Sequence, residues 1–132
     1  MEMSSALDVD RPEPAYQLGR LLAVLASLQT TGHRQVRSGL PNRYYASAST
    51  MPALVFGRLL NLAEHHLNRV ESPRLRQWWR NQITEVMNRI SSIPRTLAVE
   101  EQALFALGYY HQLAKPRVAE NTGEENEDVA AD

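Results

Sequence analysis

Residues 14–29, PAYQLGRLLAVLASLQ, decide the fold. Leu18, Leu21, Leu22, Leu25 and Leu28 recur at spacings of three and four, which winds them into one apolar stripe on a 3.6-residue helix. Pro14 stands where proline opens a helix well, because its missing N–H falls among donors that lack an intrahelical partner. The same punctuation returns along the chain. Thr30, Gly32, Ser38, Gly39 and Pro41 break the period, so 30–41 reads as a loop. Residues 42–49 read as a short helix. Thr50, with Pro52 just inside, opens a long helix to about Val70, striped by Phe56, Leu59, Leu60, Ala63, Leu67 and Val70. Ser72-Pro73 opens another, with Leu75, Trp79, Ile83, Val86 and Ile90 inward and Pro94 at its end. A last helix runs from about Val99 to Leu113, and no stretch holds a period of two. The fold is predicted to be all-α, a compact bundle of four long helices plus a short one over 14–115. A flexible leader (1–13) precedes it and a disordered acidic tail (116–132) follows, the tail being too poor in apolar groups to offset its ordering entropy.

The last helix differs from the others. Leu104, Phe105, Leu107, Tyr109, Tyr110 and Leu113 surround nearly its whole circumference, which predicts burial on several sides and a place at the bundle centre. Gly108 costs such a helix about 1 kcal/mol against alanine and implies close approach of another backbone. Buried tyrosines and His111 would need hydrogen-bond partners.

At 132 residues the chain suits one domain, and it has no cysteine. Thiolate zinc sites, iron–sulfur clusters and cysteine nucleophiles are excluded, and a reducing compartment fits. The most apolar run, Leu21 to Leu28, is far shorter than the roughly 20 residues of a membrane-spanning helix. The acidic start has no apolar signal core. A cytoplasmic location without membrane contact is expected.

The net charge of −1 hides an asymmetry. Residues 1–13 carry −3 and residues 118–132 carry −6, while 14–117 hold thirteen bases against five acids, a net +8. Twelve of those thirteen bases are arginine, whose planar fork suits phosphate and stacks on bases. A basic body between acidic ends points to a polyanion. The helical phase gathers Arg58, Asn61, His65, Asn68 and Arg69 on one side of the second long helix. On the third, Arg76 and Arg80 flank the buried stripe on one side, and Arg74, Trp78 and Arg89 on the other. Arg34, Arg37 and Arg43 join them from the loop and the short helix. A solvated helix face is the plainer reading of any one of these groups. Such faces alternate Glu with Lys or Arg at four-residue spacing, which this chain largely lacks. The candidate nucleic-acid contacts are therefore Arg34, Arg37, Arg43, Arg58, His65, Arg69, Arg74, Arg76, Trp78 and Arg80. Trp78 is a stacking platform for an unpaired base or a packing group on the bundle flank. Tyr44-Tyr45 leans to packing.

No catalytic or metal site is legible. His65 and His66 are adjacent, so they point about 100° apart, whereas helical metal ligands share a face at spacings of three or four. No Glu-x-x-His pair of the di-iron type occurs, and neither a glycine-rich phosphate loop nor a serine elbow is present. No enzyme activity, cofactor or metal is expected.

Three blocks together resemble a known family: Tyr16–Leu25 (YQLGRLLAVL), Asn42–Leu67 (NRYYASASTMPALVFGRLLNLAEHHL) and Leu97–Gln112 (LAVEEQALFALGYYHQ). The chain resembles, over about 15–115, the C-terminal region of the large subunit of the type I-C CRISPR surveillance (Cascade) complex. In that system the region is also made separately, as the small subunit, from an internal translation start; Met1 or Met3 would then be that start. Ala103 stands where the family pattern has glycine. The resemblance implies a non-catalytic helical subunit that bridges the large and backbone subunits, commonly in more than one copy. It also implies a role in holding target DNA, in particular the non-target strand displaced when guide RNA pairs. Cutting belongs to a separately recruited helicase–nuclease.

The basic surface and the resemblance converge on sequence-independent attraction to single-stranded DNA. Four neutralised phosphates would give a slope of binding against log salt of roughly −3, about 50-fold weaker binding between 50 and 200 mM. The acidic tail would keep the free subunit off bulk nucleic acid. Two rivals stand beside this reading. One is an assembly-only scaffold whose arginines meet acidic patches on partner subunits. The other is a stand-alone helical DNA-binding regulator, for which the tight helix-turn-helix is missing.

Overall fold

The computed structural model describes residues 7–32 and 40–115, with side chains described for 7–29 and 44–115. The described residues form five helices: α1 (Pro14–Gly32), α2 (Leu40–Thr50), α3 (Pro52–Asn68), α4 (Pro73–Met87) and α5 (Val99–Ala114). The expected all-α bundle is what forms. The tail, with Arg34 and Arg37, lies outside the described residues, as does the side chain of Arg43.

The centre is α1, not α5. Helix α1 touches all four others and lies longest against α5. Ala15, Tyr16, Leu18, Leu21, Leu22, Ala23, Val24, Leu25, Ala26 and Leu28 are all buried, which is far more than one stripe. Helix α5 buries Phe105, Gly108 and Tyr109 against the core and leaves Leu107, Tyr110 and Leu113 exposed. The correction has a physical cause: an apolar circumference on α5 can be two faces with different neighbours, only one of which belongs to this chain's core.

Two glycines set the α1–α5 approach. A Cβ built on Gly108 would collide with the backbone carbonyl of Tyr16, and one on Gly19 with that of Phe105. The close approach expected at Gly108 is therefore reciprocal. Ala103 is exposed and leaves this contact untouched.

The elements differ from the sequence reading at their ends. Helix α1 runs on to Gly32, and α2 already begins at Leu40. Thr50 does not cap α3, because its hydroxyl donates back into α2, to Ala46 O at 2.9 Å; the α3 cap position is Met51. Ser72 does cap α4, its hydroxyl accepting from the Leu75 N–H at 3.1 Å. Helix α4 stops at Met87 and not at Pro94, and tight turns at Arg89 and Ile90 follow it. The segment after it is held by the α2–α3 junction: Ala53 N–H donates to Pro94 O and Leu97 N–H to Thr50 O, both at 3.1 Å. Ile90 remains buried beyond the helix end. At the start of α5, Glu101 Oε1 accepts from the Ala98 N–H at 2.7 Å.

Residues 7–13 of the leader are tied to α1. Gln17 Nε2 donates to Val9 O (3.2 Å) and Arg11 O (2.8 Å), and the Tyr16 hydroxyl accepts from the Asp8 N–H.

Candidate nucleic-acid interface

Helix α3 turns Val55, Phe56, Leu59, Ala63 and Leu67 inward, which obliges the intervening positions to face out. Arg58, Asn61, His65 and Asn68 are all exposed on that outer side, and Arg69 is exposed just beyond the helix. Arg74 is exposed in the first turn of α4. Arg58 and Arg74 form no ion pair among the described residues.

Other candidates are engaged within the chain. Arg76 is half-buried and donates through Nε to Leu67 O (3.2 Å) and through Nη2 to Val70 O (2.7 Å). It thereby ties the Leu67 carbonyl in the last turn of α3 and the Val70 carbonyl just beyond it to α4. Arg80 reaches from α4 to α3, its two terminal nitrogens 3.2 and 3.3 Å from the Glu64 carboxylate. Both side chains of this pair are exposed, 41% and 59%, so the bridge is worth at most about 1 kcal/mol and a phosphate can displace the carboxylate at little cost. Trp78 is half-buried and meets Trp79 edge-on at 4.9 Å. The exposed set thus reduces to Arg58, His65, Arg69 and Arg74, with Arg80 exchangeable and Arg76 structural.

One group escaped the sequence reading. Arg20 has no exposed surface, yet each of its guanidinium nitrogens finds an acceptor. Its Nε donates to Gln112 Oε1 (3.0 Å), Nη1 to Gln17 Oε1 (2.8 Å) and Nη2 to Glu85 Oε1 (3.2 Å). Burial pulls its pKa below the ordinary arginine value, and Glu85 opposes that. Arg89 extends the network, bridging Glu85 (3.1 Å) and Asp10 (3.2 Å). Beside it the Tyr16 hydroxyl meets His111 Nδ1 at 2.8 Å, giving His111 the partner it needed. A signal for Arg20 exists: the side of α1 opposite the leucines reads Tyr16, Gly19, Ala23 and Ser27 around it, with no second charge, too little for a solvated face.

No group of three or more His, Asp or Glu side chains among the described residues is placed to hold a metal ion. No described helix is long and apolar enough to cross a membrane.

The fold is therefore a single helical body that uses some arginines as internal struts and turns others outward. Residues 1–116 match the model of the family described as CRISPR-associated protein (Cas_Csd1), and the chain belongs to that family. A comparison with curated proteins finds no match.

Proposed function

We propose that this chain is the non-catalytic small subunit of a type I-C CRISPR surveillance complex, equivalent to the C-terminal region of its large subunit. It bridges the large and backbone subunits in the cytoplasm, alongside a second copy of itself, and steadies the displaced non-target strand beside the guide RNA–target duplex. Family membership supports the CRISPR setting. The observation that carries the DNA-holding role is the outward placement of Arg58 and Arg74 without an internal ion-pair partner among the described residues. Strand exchange is nearly balanced energetically, so a few backbone contacts tip it. Exposed guanidinium groups supply such contacts without reading sequence.

Charge reversal tests this in the assembled complex. Complexes carrying Arg58→Glu and Arg74→Glu should assemble normally and release the non-target strand more readily, read as raised reactivity of its unpaired bases to a single-strand probe. Normal assembly with unchanged strand protection overturns the DNA-holding role and leaves the assembly-only scaffold. Failed assembly would place these arginines at a subunit contact instead.

A further inference from the structure

Trp78, the candidate platform for an unpaired base, is half-buried against Trp79. The exposed apolar group in line with an outward arginine is on α3 instead. Leu54 is 71% exposed and stands one helical turn before Arg58. Gly57 and Asn61, both exposed, complete a diamond with them, its members three and four residues apart and so neighbours on the helix surface. A Cβ built on Gly57 would meet nothing within 4 Å, so the helix is bare at that corner. Leu54 is thus an apolar wall beside an open floor, with a guanidinium and an amide at the floor's other edges. Met51, 42% exposed and three residues before Leu54, lengthens the wall. Arg58 and Asn61 form no side-chain hydrogen bond or ion pair among the described residues. The one acid of α3, Glu64, is bridged to Arg80 in α4.

We propose that this diamond receives one unstacked base of a single-stranded DNA, with Leu54 against the base face, Gly57 giving the ring its clearance, Asn61 at the base edge and Arg58 on the adjoining phosphate. The inference rests on the strand-holding reading above and names what the strand presents besides phosphate. The chemistry matches part by part. A base that has left its stack exposes an apolar face, and an aliphatic wall returns some of the contact it lost. A flat ring needs a surface with no side chain standing in its way, which Gly57 supplies. The Asn61 amide both donates and accepts, so it suits the polar edge of any base. The Arg58 fork suits phosphate. A protein partner would want a contiguous apolar patch, and here the apolar surface stops after one turn of helix at a glycine, a cation and an amide.

Binding of the full-length chain to two strands of equal length and charge tests it, one a mixed-sequence single-stranded DNA and the other abasic throughout. The base-bearing strand should bind about fivefold tighter at low salt, the low end for a stacked base because Leu54 offers an aliphatic face and not a ring. Leu54→Ala and Gly57→Gln should each bring the two affinities within about twofold of one another. Both positions are exposed, so helical circular dichroism should not change. Arg74→Glu, outside the diamond, should weaken both strands alike. Equal and salt-steep binding of the two strands overturns the base site, leaves the strand-holding reading standing and gives Leu54 to a protein neighbour. A preference for bases that survives both variants also overturns it. Absence of salt-dependent binding to either strand removes the strand-holding reading and the base site together.

Discussion

Arg20 Nη2 lies 3.2 Å from Glu85 Oε1, joining the middle of α1 to α4 through a guanidinium that has no exposed surface. The pair is asymmetric, because the Glu85 side chain is 36% exposed. Arg20→Ala leaves a cavity and strands the amides of Gln17 and Gln112, so it should cost about 3 kcal/mol in urea unfolding. Glu85→Gln keeps an acceptor for Arg20 at the wetter end and should cost roughly 1 kcal/mol. Equal losses would mean that the charge of Glu85, not the burial of Arg20, governs the site.

Glycine at 108 is required by the Tyr16 carbonyl facing it, whereas nothing faces Gly57. Gly108→Ala should therefore destabilise by about 2 kcal/mol despite alanine's better helix propensity. Gly57→Ala should stabilise by up to about 1 kcal/mol. Thermal unfolding of the two variants gives opposite signs if the α1–α5 approach is as close as described.

Arg76 and Arg58 separate structural from surface arginines. Arg76→Ala removes two hydrogen bonds to the end of α3 and should cost about 1–2 kcal/mol. Arg58→Ala and Arg74→Ala should change stability by less than about 0.5 kcal/mol. A stability loss at Arg58 equal to that at Arg76 would place Arg58 in the folded framework.

Alkaline pH should unfold the protein through two tyrosines. Burial pushes the Tyr45 and Tyr109 hydroxyls above the ordinary value of 10.0, with Tyr110 adding in the same direction. A raised folded-state pKa contributes stability that is fully present below pH 10 and lost as pH climbs through the folded-state values. Urea midpoints should fall steeply above pH 10, and Tyr45→Phe with Tyr109→Phe should flatten that fall. An equally steep fall in the double variant would assign it to other groups.

The helices were legible because their signals are local. The leucines at 18, 21, 22, 25 and 28 and the Ser72-Pro73 start need no tertiary contact to be read. The bundle centre was not legible, because an apolar count cannot tell the covered face of α5 from its open one. Gln17 and Arg20 escaped the sequence reading; they satisfy each other within the core through a contact that apolar periodicity does not register. Helical phase correctly turned Arg58 and Arg74 outward. The partners of Arg76 and Arg80 come from α3 packing on α4, and no spacing along the chain reveals them.

The central claim is that outward arginines bind the sugar–phosphate backbone of a single strand. Its most direct test is fluorescence anisotropy of a mixed-sequence single-stranded DNA, titrated with the protein between 50 and 200 mM salt. The account predicts a slope against log salt near −3, made shallower by about 1.4 in the Arg58→Glu, Arg74→Glu double variant as two phosphate contacts are lost. A flat salt response, or a slope that the double variant leaves unchanged, would contradict it.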